Sequence, residues 1–209
     1  MHCRALFLFT VLLACGTSDE GPLPTTNPNG NVIASNSPTN STAPIPALAT
    51  APPTVQANTE GVLFESELGG YSVRFPSKPK TQTEPLGTLP DGTTLNIEIT
   101  MLEAPTGLTL GATLTEVPPF PEERIQSALD DGVKGAVANV PGAQLDSVKT
   151  IEIKGHPGRS FKMHGTVEGL EFEGRQVILY KKGSLVQFMS IAPKGLADDP
   201  SIETFFQSI

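Results

Sequence analysis

The sequence predicts an α+β protein: a largely antiparallel β-sheet sandwiched between helices, preceded by a disordered tether. Three observations predict it. Stretches that alternate apolar and polar residues recur between Gly- and Pro-marked turns from residue 71 to residue 192. Two segments instead carry apolar residues at helical spacing. Finally, the composition changes abruptly near residue 60, from a Pro/Ser/Thr/Asn-rich stretch to an ordinary globular mixture.

The chain has 209 residues, a net charge of −8 and a sequence isoelectric point near 4.9. An acidic surface argues against a nucleic-acid partner, since phosphate binding needs clustered Lys and Arg. Residues 1–14 read as a lipoprotein signal peptide. Arg4 is followed by the apolar run Ala5–Leu13, which is too short to span a bilayer, since that needs about 20 residues. The segment ends in Leu12-Leu13-Ala14-Cys15, which resembles the lipobox of bacterial lipoproteins. That resemblance implies that Cys15 becomes the N-terminus and carries a thioether-linked diacylglycerol, the thiolate being the nucleophile suited to alkylation. Of the two cysteines, Cys3 lies in the part that would be removed, so the mature chain can form no internal disulfide. The expected location is the cell envelope, facing periplasm or exterior. By analogy with Gram-negative lipoproteins, Gly16 rather than Asp after the cysteine favours the outer membrane.

Residues 15–60 read as the lipidated cysteine and a disordered linker. From Gly16 to Glu60 the chain carries eight Pro, twelve Ser or Thr and six Asn, with no basic or aromatic residue. Such a segment cannot bury enough apolar surface to offset its chain entropy. Residues 61–209 form the globular domain.

Within the domain, Thr93–Leu102 predicts a strand with Leu95, Ile97, Ile99 and Met101 on its apolar face and Glu98 and Thr100 on the polar one. Tyr71–Phe75 and Leu108–Val117 predict two more, each stopped by proline. Glu122–Val140 predicts a helix, with Ile125, Leu129, Val133, Ala136 and Val140 as its stripe and Pro121 at its first position. Four strands follow, near Gln144–Lys154, Gly158–Val167, Phe172–Lys182 and Leu185–Ala192, with turns at Gly155–Gly158, Glu168-Gly169 and Lys182–Ser184. The last two strands are apolar on both faces, which places them at the sheet centre with helices above and below. Asp199-Pro200 opens a second helix bearing Ile202, Phe205, Phe206 and Ile209.

Several of these segments share a resemblance. Tyr71-Ser72-Val73-Arg74-Phe75-Pro76-Ser77-Lys78-Pro79 resembles the opening motif of bacterial PsbP-like domains. The helix bearing Ala128-Leu129-Asp130-Asp131-Gly132, the Gly155-His156-Pro157-Gly158-Arg159 hairpin, the Tyr180 strand and Phe205-Phe206-Gln207-Ser208 are similar to later elements of that family. The resemblance implies an α/β/α sandwich over residues 61–209 and a non-catalytic binding or assembly role. It carries no functional residue across.

Reactive constellations are not seen in the sequence. There is no Gly-x-Ser-x-Gly elbow, no histidine pair at ligand spacing and no alternating-Asp calcium loop, so no catalytic residue, metal or cofactor is assigned. His164 reads as a solvent-facing strand histidine sharing a face with Lys162 and Thr166. Glu168, Glu171 and Glu173 crowd one hairpin. They are the basis of the alternative reading, an envelope hydrolase with a carboxylate site. Phe120, in a Pro-rich loop, is the candidate protein contact, set against a role capping the core near Ile125. The expected partners are membrane lipid, through Cys15, and an envelope protein.

Overall fold

The computed structural model describes residues 61–209. The signal segment, Cys15 and the linker lie outside the described residues. In chain order the elements are β1 (Val62–Glu65), β2 (Ser72–Phe75), β3 (Lys80–Thr88), β4 (Thr94–Glu103), β5 (Thr109–Glu116), α1 (Glu122–Ala138), β6 (Gln144–Ile153), β7 (His156–Val167), β8 (Leu170–Lys181), β9 (Ser184–Pro193) and α2 (Pro200–Gln207). Seven strands make one antiparallel sheet in the order β3-β4-β5-β9-β8-β7-β6, while β1 and β2 form a separate two-stranded ribbon. The doubly apolar strands β8 and β9 lie inside the sheet, as their pattern requires.

The expected sandwich of a sheet between helical layers is not what forms. The fold is β-rich, and the two helices are too few and too short to make layers. On one face α1 alone packs over β7 and β8, where Leu129 and Val133 meet Phe161, Ile178 and Tyr180. The cover of the other face is mostly strand: the β1–β2 ribbon shares it with the eight-residue α2. Val73 and Phe75 from the ribbon and Ile202, Phe205 and Phe206 from α2 close over Leu110, Val177, Leu179 and Phe188. A strand apolar on both faces needs cover on both, but a ribbon supplies it as well as a helix does.

Two strands escape sequence patterning. β1 is only four residues long. β3, with the sequence KTQTEPLGT, is exposed along its whole length and has no apolar period. Its pairing with β4 is through the backbone, and Pro85 is tolerated because β3 is a sheet edge with a register shift there. The opposite edge is β6, also with a register shift, between Leu145 and Ser147.

Local chemistry explains the helix ends. Pro121 is the N-cap of α1 rather than its first helical residue, and no side chain caps the helix. Gly132, costly in an isolated helix, faces β8: a Cβ at that position would sit in ordinary contact, 3.4 Å from Ile178 Cδ1. In α2, Asp199 accepts hydrogen bonds from the Ser201 N–H at 2.8 Å and from the Ser201 hydroxyl at 2.5 Å, which is N-cap chemistry with Pro200 in the first turn. The turn between β6 and β7 is shorter than the residue pattern suggests. Lys154 and Gly155, both at positive φ, complete it, and His156 and Pro157 already belong to β7.

The polar face of β4 is the more deeply covered of its two faces. Glu98 and Thr100 are fully buried, whereas of the apolar set Ile97 is buried and Leu95, Ile99 and Met101 are half-exposed. The ribbon explains this. The turn joining β1 to β2 lies over the polar face of β4, and the Glu98 carboxyl accepts the Glu67 N–H at 2.9 Å and the Tyr71 hydroxyl at 3.3 Å. Thr100 pairs its hydroxyl with Thr81 at 3.1 Å. Burial, with Glu98 beside it, holds the Tyr71 hydroxyl above the ordinary phenol range.

Candidate functional site

The β7–β8 hairpin turns at Glu168-Gly169 and sets Lys162 opposite Arg175 and His164 opposite Glu173. Directly opposed residues in an antiparallel pair point to the same face. Ser190 of β9 stands opposite Arg175 on the next strand. Against this floor lies the start of α2, with Asp198, Asp199 and Glu203. Together these elements enclose a cleft of about 580 Å³, with Asp146 of β6 on its far wall.

The charged groups of the cleft hold one another in place. The Arg175 guanidinium donates to Glu203 Oε2 at 3.0 Å and lies 4.3 Å above the Phe206 ring, so both its charge and its plane are engaged. His164 Nδ1 meets Asp146 Oδ1 at 2.5 Å. The register shift of β6 adds a residue beside this contact, and such shifts re-aim side chains. With Nδ1 engaged, Nε2 is the ring nitrogen left for a ligand. Lys162 has neither ion pair nor hydrogen bond among the described residues. These are surface pairs, with side-chain exposures of 35% and 57% for Arg175–Glu203, so each adds about 0–1 kcal/mol to stability. Their effect is on geometry.

The arrangement presents fixed polar groups suited to recognition. His164 and Asp146 have the relation of a base and its orienting carboxyl, and covalent catalysis through them would need a nucleophile within about 3 Å of the imidazole. Ser190 is the hydroxyl on the same floor. It belongs to β9, two strands from β7, and two strand spacings come to about 10 Å. Among the described residues no group of three or more His, Cys, Asp or Glu side chains gathers as a metal ion would need.

The residues singled out by sequence separate in space. Glu173 lines the cleft, Glu171 pairs with Lys194 at 3.0 Å, and Glu168 sits on the hairpin turn. Phe120 is on the other face of the sheet, half-buried. Its ring stacks on Tyr180 with centroids 5.4 Å apart, and its N–H donates to the Tyr180 hydroxyl at 2.9 Å. Ile125 packs against the same cluster, so the Pro-rich loop is fastened to the core at this point. Cys15 lies outside the described residues. Arg175, Glu203 and Asp146 are cleft residues that the sequence reading passed over. The alternation of Glu173 and Arg175 between Phe172, Gly174 and Gln176 marks a polar face on β8, but nothing local shows which helix meets it.

No family model matches the chain, and no curated protein does. Among solved structures it is similar to a protein of unknown function from Pseudomonas aeruginosa, at 14% identity, covering 71% of this chain and 95% of that one with a TM-score of 0.42. It is also similar to the solution structure of cyanobacterial PsbP (CyanoP) from Synechocystis sp. PCC 6803, at 13% identity, covering 77% and 96% with a TM-score of 0.48. The second belongs to the family that the sequence motifs resemble. At such scores neither likeness carries an argument about what this chain does.

Proposed function

We propose that residues 61–209 are a non-catalytic, PsbP-like binding domain, held at the cell envelope by lipid on Cys15, and that an envelope protein occupies the β7–β8–α2 cleft. One observation carries the reading: the cleft is lined by charged side chains fixed by their neighbours, Arg175 by Glu203 and Phe206 and His164 by Asp146, with Lys162 left unpaired. Prepositioned polar groups around an open cleft favour a polar segment of a partner, because little side-chain ordering remains to be done on binding. The lipobox-like end of the leader and the linker composition support the placement at the envelope.

Photocrosslinking in intact cells tests this. A photoreactive amino acid at Thr166, beside the cleft, should yield one discrete adduct that disappears when Cys15→Ala is combined with it. The same group at Thr150, on the exposed β6 edge, should give none. Equal adducts from both positions, or none from Thr166, would overturn the proposal. Metabolic labelling with a fatty-acid analogue, compared between wild type and Cys15→Ala, checks the anchor separately.

A further inference from the structure

At the other end of the same sheet face is a second, smaller pocket. Leu179 of β8 is six residues from Glu173, which puts the two sites about 20 Å apart along the strand. The pocket has a volume of about 130 Å³. Its floor is apolar, made by Ile153, Leu179, Val186 and Phe188. Its rim is basic: the ammonium groups of Lys154 and Lys181 and the imidazole of His156 line it.

Two features set this rim apart from the rest of the domain. The described chain carries nineteen acidic residues against thirteen basic ones, yet no Asp or Glu side chain lines this pocket, whose wall also includes Ile209, the last residue of the chain. In addition, the rim charges are held near the opening by the fold. Lys154 occupies the two-residue turn between β6 and β7 at φ 51°, and Lys181 donates to the Gly70 carbonyl at 3.0 Å, which ties it to the ribbon's turn. Lys154 makes no ion pair among the described residues. An apolar floor beneath unpaired positive charge complements a ligand with the opposite arrangement, a compact hydrocarbon body ending in an anion. Size narrows the class, because an engineered apolar cavity of about 150 Å³ in another protein takes up benzene.

We propose that this pocket binds a small monocarboxylate with a compact apolar body, seated on Leu179, Val186 and Phe188 with its carboxylate at Lys154 and Lys181. The test uses the full chain carrying Cys15→Ser, so that no lipid competes, with 4-fluorobenzoate as the probe and ¹⁹F line broadening as the readout. Saturable binding is expected, with 4-fluorobenzyl alcohol binding about tenfold more weakly because it lacks the charge. Lys154→Glu should weaken the benzoate about tenfold and leave the alcohol unchanged. Val186→Phe should abolish both by filling the floor. The exposed Lys154 site keeps the test decisive should Val186→Phe misfold. Three results would overturn the proposal: no saturable broadening at about 10 mM probe, far above a useful affinity; equal affinity for the alcohol; or indifference of the benzoate to Lys154→Glu.

Discussion

Each face of the seven-stranded sheet is fastened to its cover through a buried charged or ionisable side chain, and the two fastenings differ in kind. On the α1 face Arg159 is 7% exposed and reaches out of β7 to two helix side chains, Asp130 at 2.7 Å and Gln126 at 2.8 Å. On the ribbon face Glu98 is fully buried and its two bonded partners are an N–H and a hydroxyl, without a cation. The difference lies in what is left behind when each is removed. Asp130 is half in water and rehydrates. The Glu67 N–H and the Tyr71 hydroxyl face the space Glu98 fills; without it the N–H would be orphaned and the hydroxyl left with the Thr100 side chain alone.

The comparison orders four substitutions. Glu98→Ala should cost the most, roughly 3 kcal/mol, combining a cavity with an unsatisfied donor. Glu98→Gln should cost only about 1 kcal/mol, since its amide oxygen can accept the Glu67 N–H while its NH2 donates to the Tyr71 hydroxyl oxygen. Denaturant titration of the pair checks this, and equal losses would mean that shape rather than bonding fixes the ribbon. Arg159→Ala should cost less than Glu98→Ala, about 2 kcal/mol, much of it from lost packing of the aliphatic stem. Asp130→Asn should cost about 0.5 kcal/mol, because its charge is screened by solvent.

One further substitution, modest at neutral pH, is the most diagnostic at high pH. Tyr71 is held above its ordinary value of 10.0, so the unfolded chain releases this proton first as pH rises past about 10. The stability tied to it is complete below that pH and drains away as pH climbs toward the folded-state value. Tyr71→Phe should cost about 1 kcal/mol at pH 7. Above pH 10 its stability should fall less steeply than that of the wild type, by up to about 1.4 kcal/mol per pH unit. Parallel curves would place Tyr71 in a wetter setting than the one described.

Glu98 also shows where reading the sequence stops. Alternation along Thr94–Glu103 reveals two faces but not that the polar one is covered as well. The cover is the β1–β2 ribbon, whose first strand is too short to announce itself. β3 was missed for a related reason: backbone pairing needs no apolar side chains, and its own are all exposed. Both helices, the inner position of β8 and β9 and the Asp199 cap were legible because each depends on local period or turn chemistry. Of the cleft, the shared face of Lys162 and His164 was readable within one strand. Asp146 and Glu203 join them only through strand register and the docking of α2, which a linear pattern does not contain.

The ribbon's place at the head of the domain has a mechanical consequence. Any load entering at Gly61 reaches β1 first, and β1 is matched with β2 over four residue pairs and with no other strand. Those four pairs bear a tug there before any other strand does, so β1 acts as a fuse ahead of the body. Beyond it the resistance rises, because the Arg74 N–H of β2 is bonded to Ser208 Oγ just past α2, and Phe75 sits against Phe205.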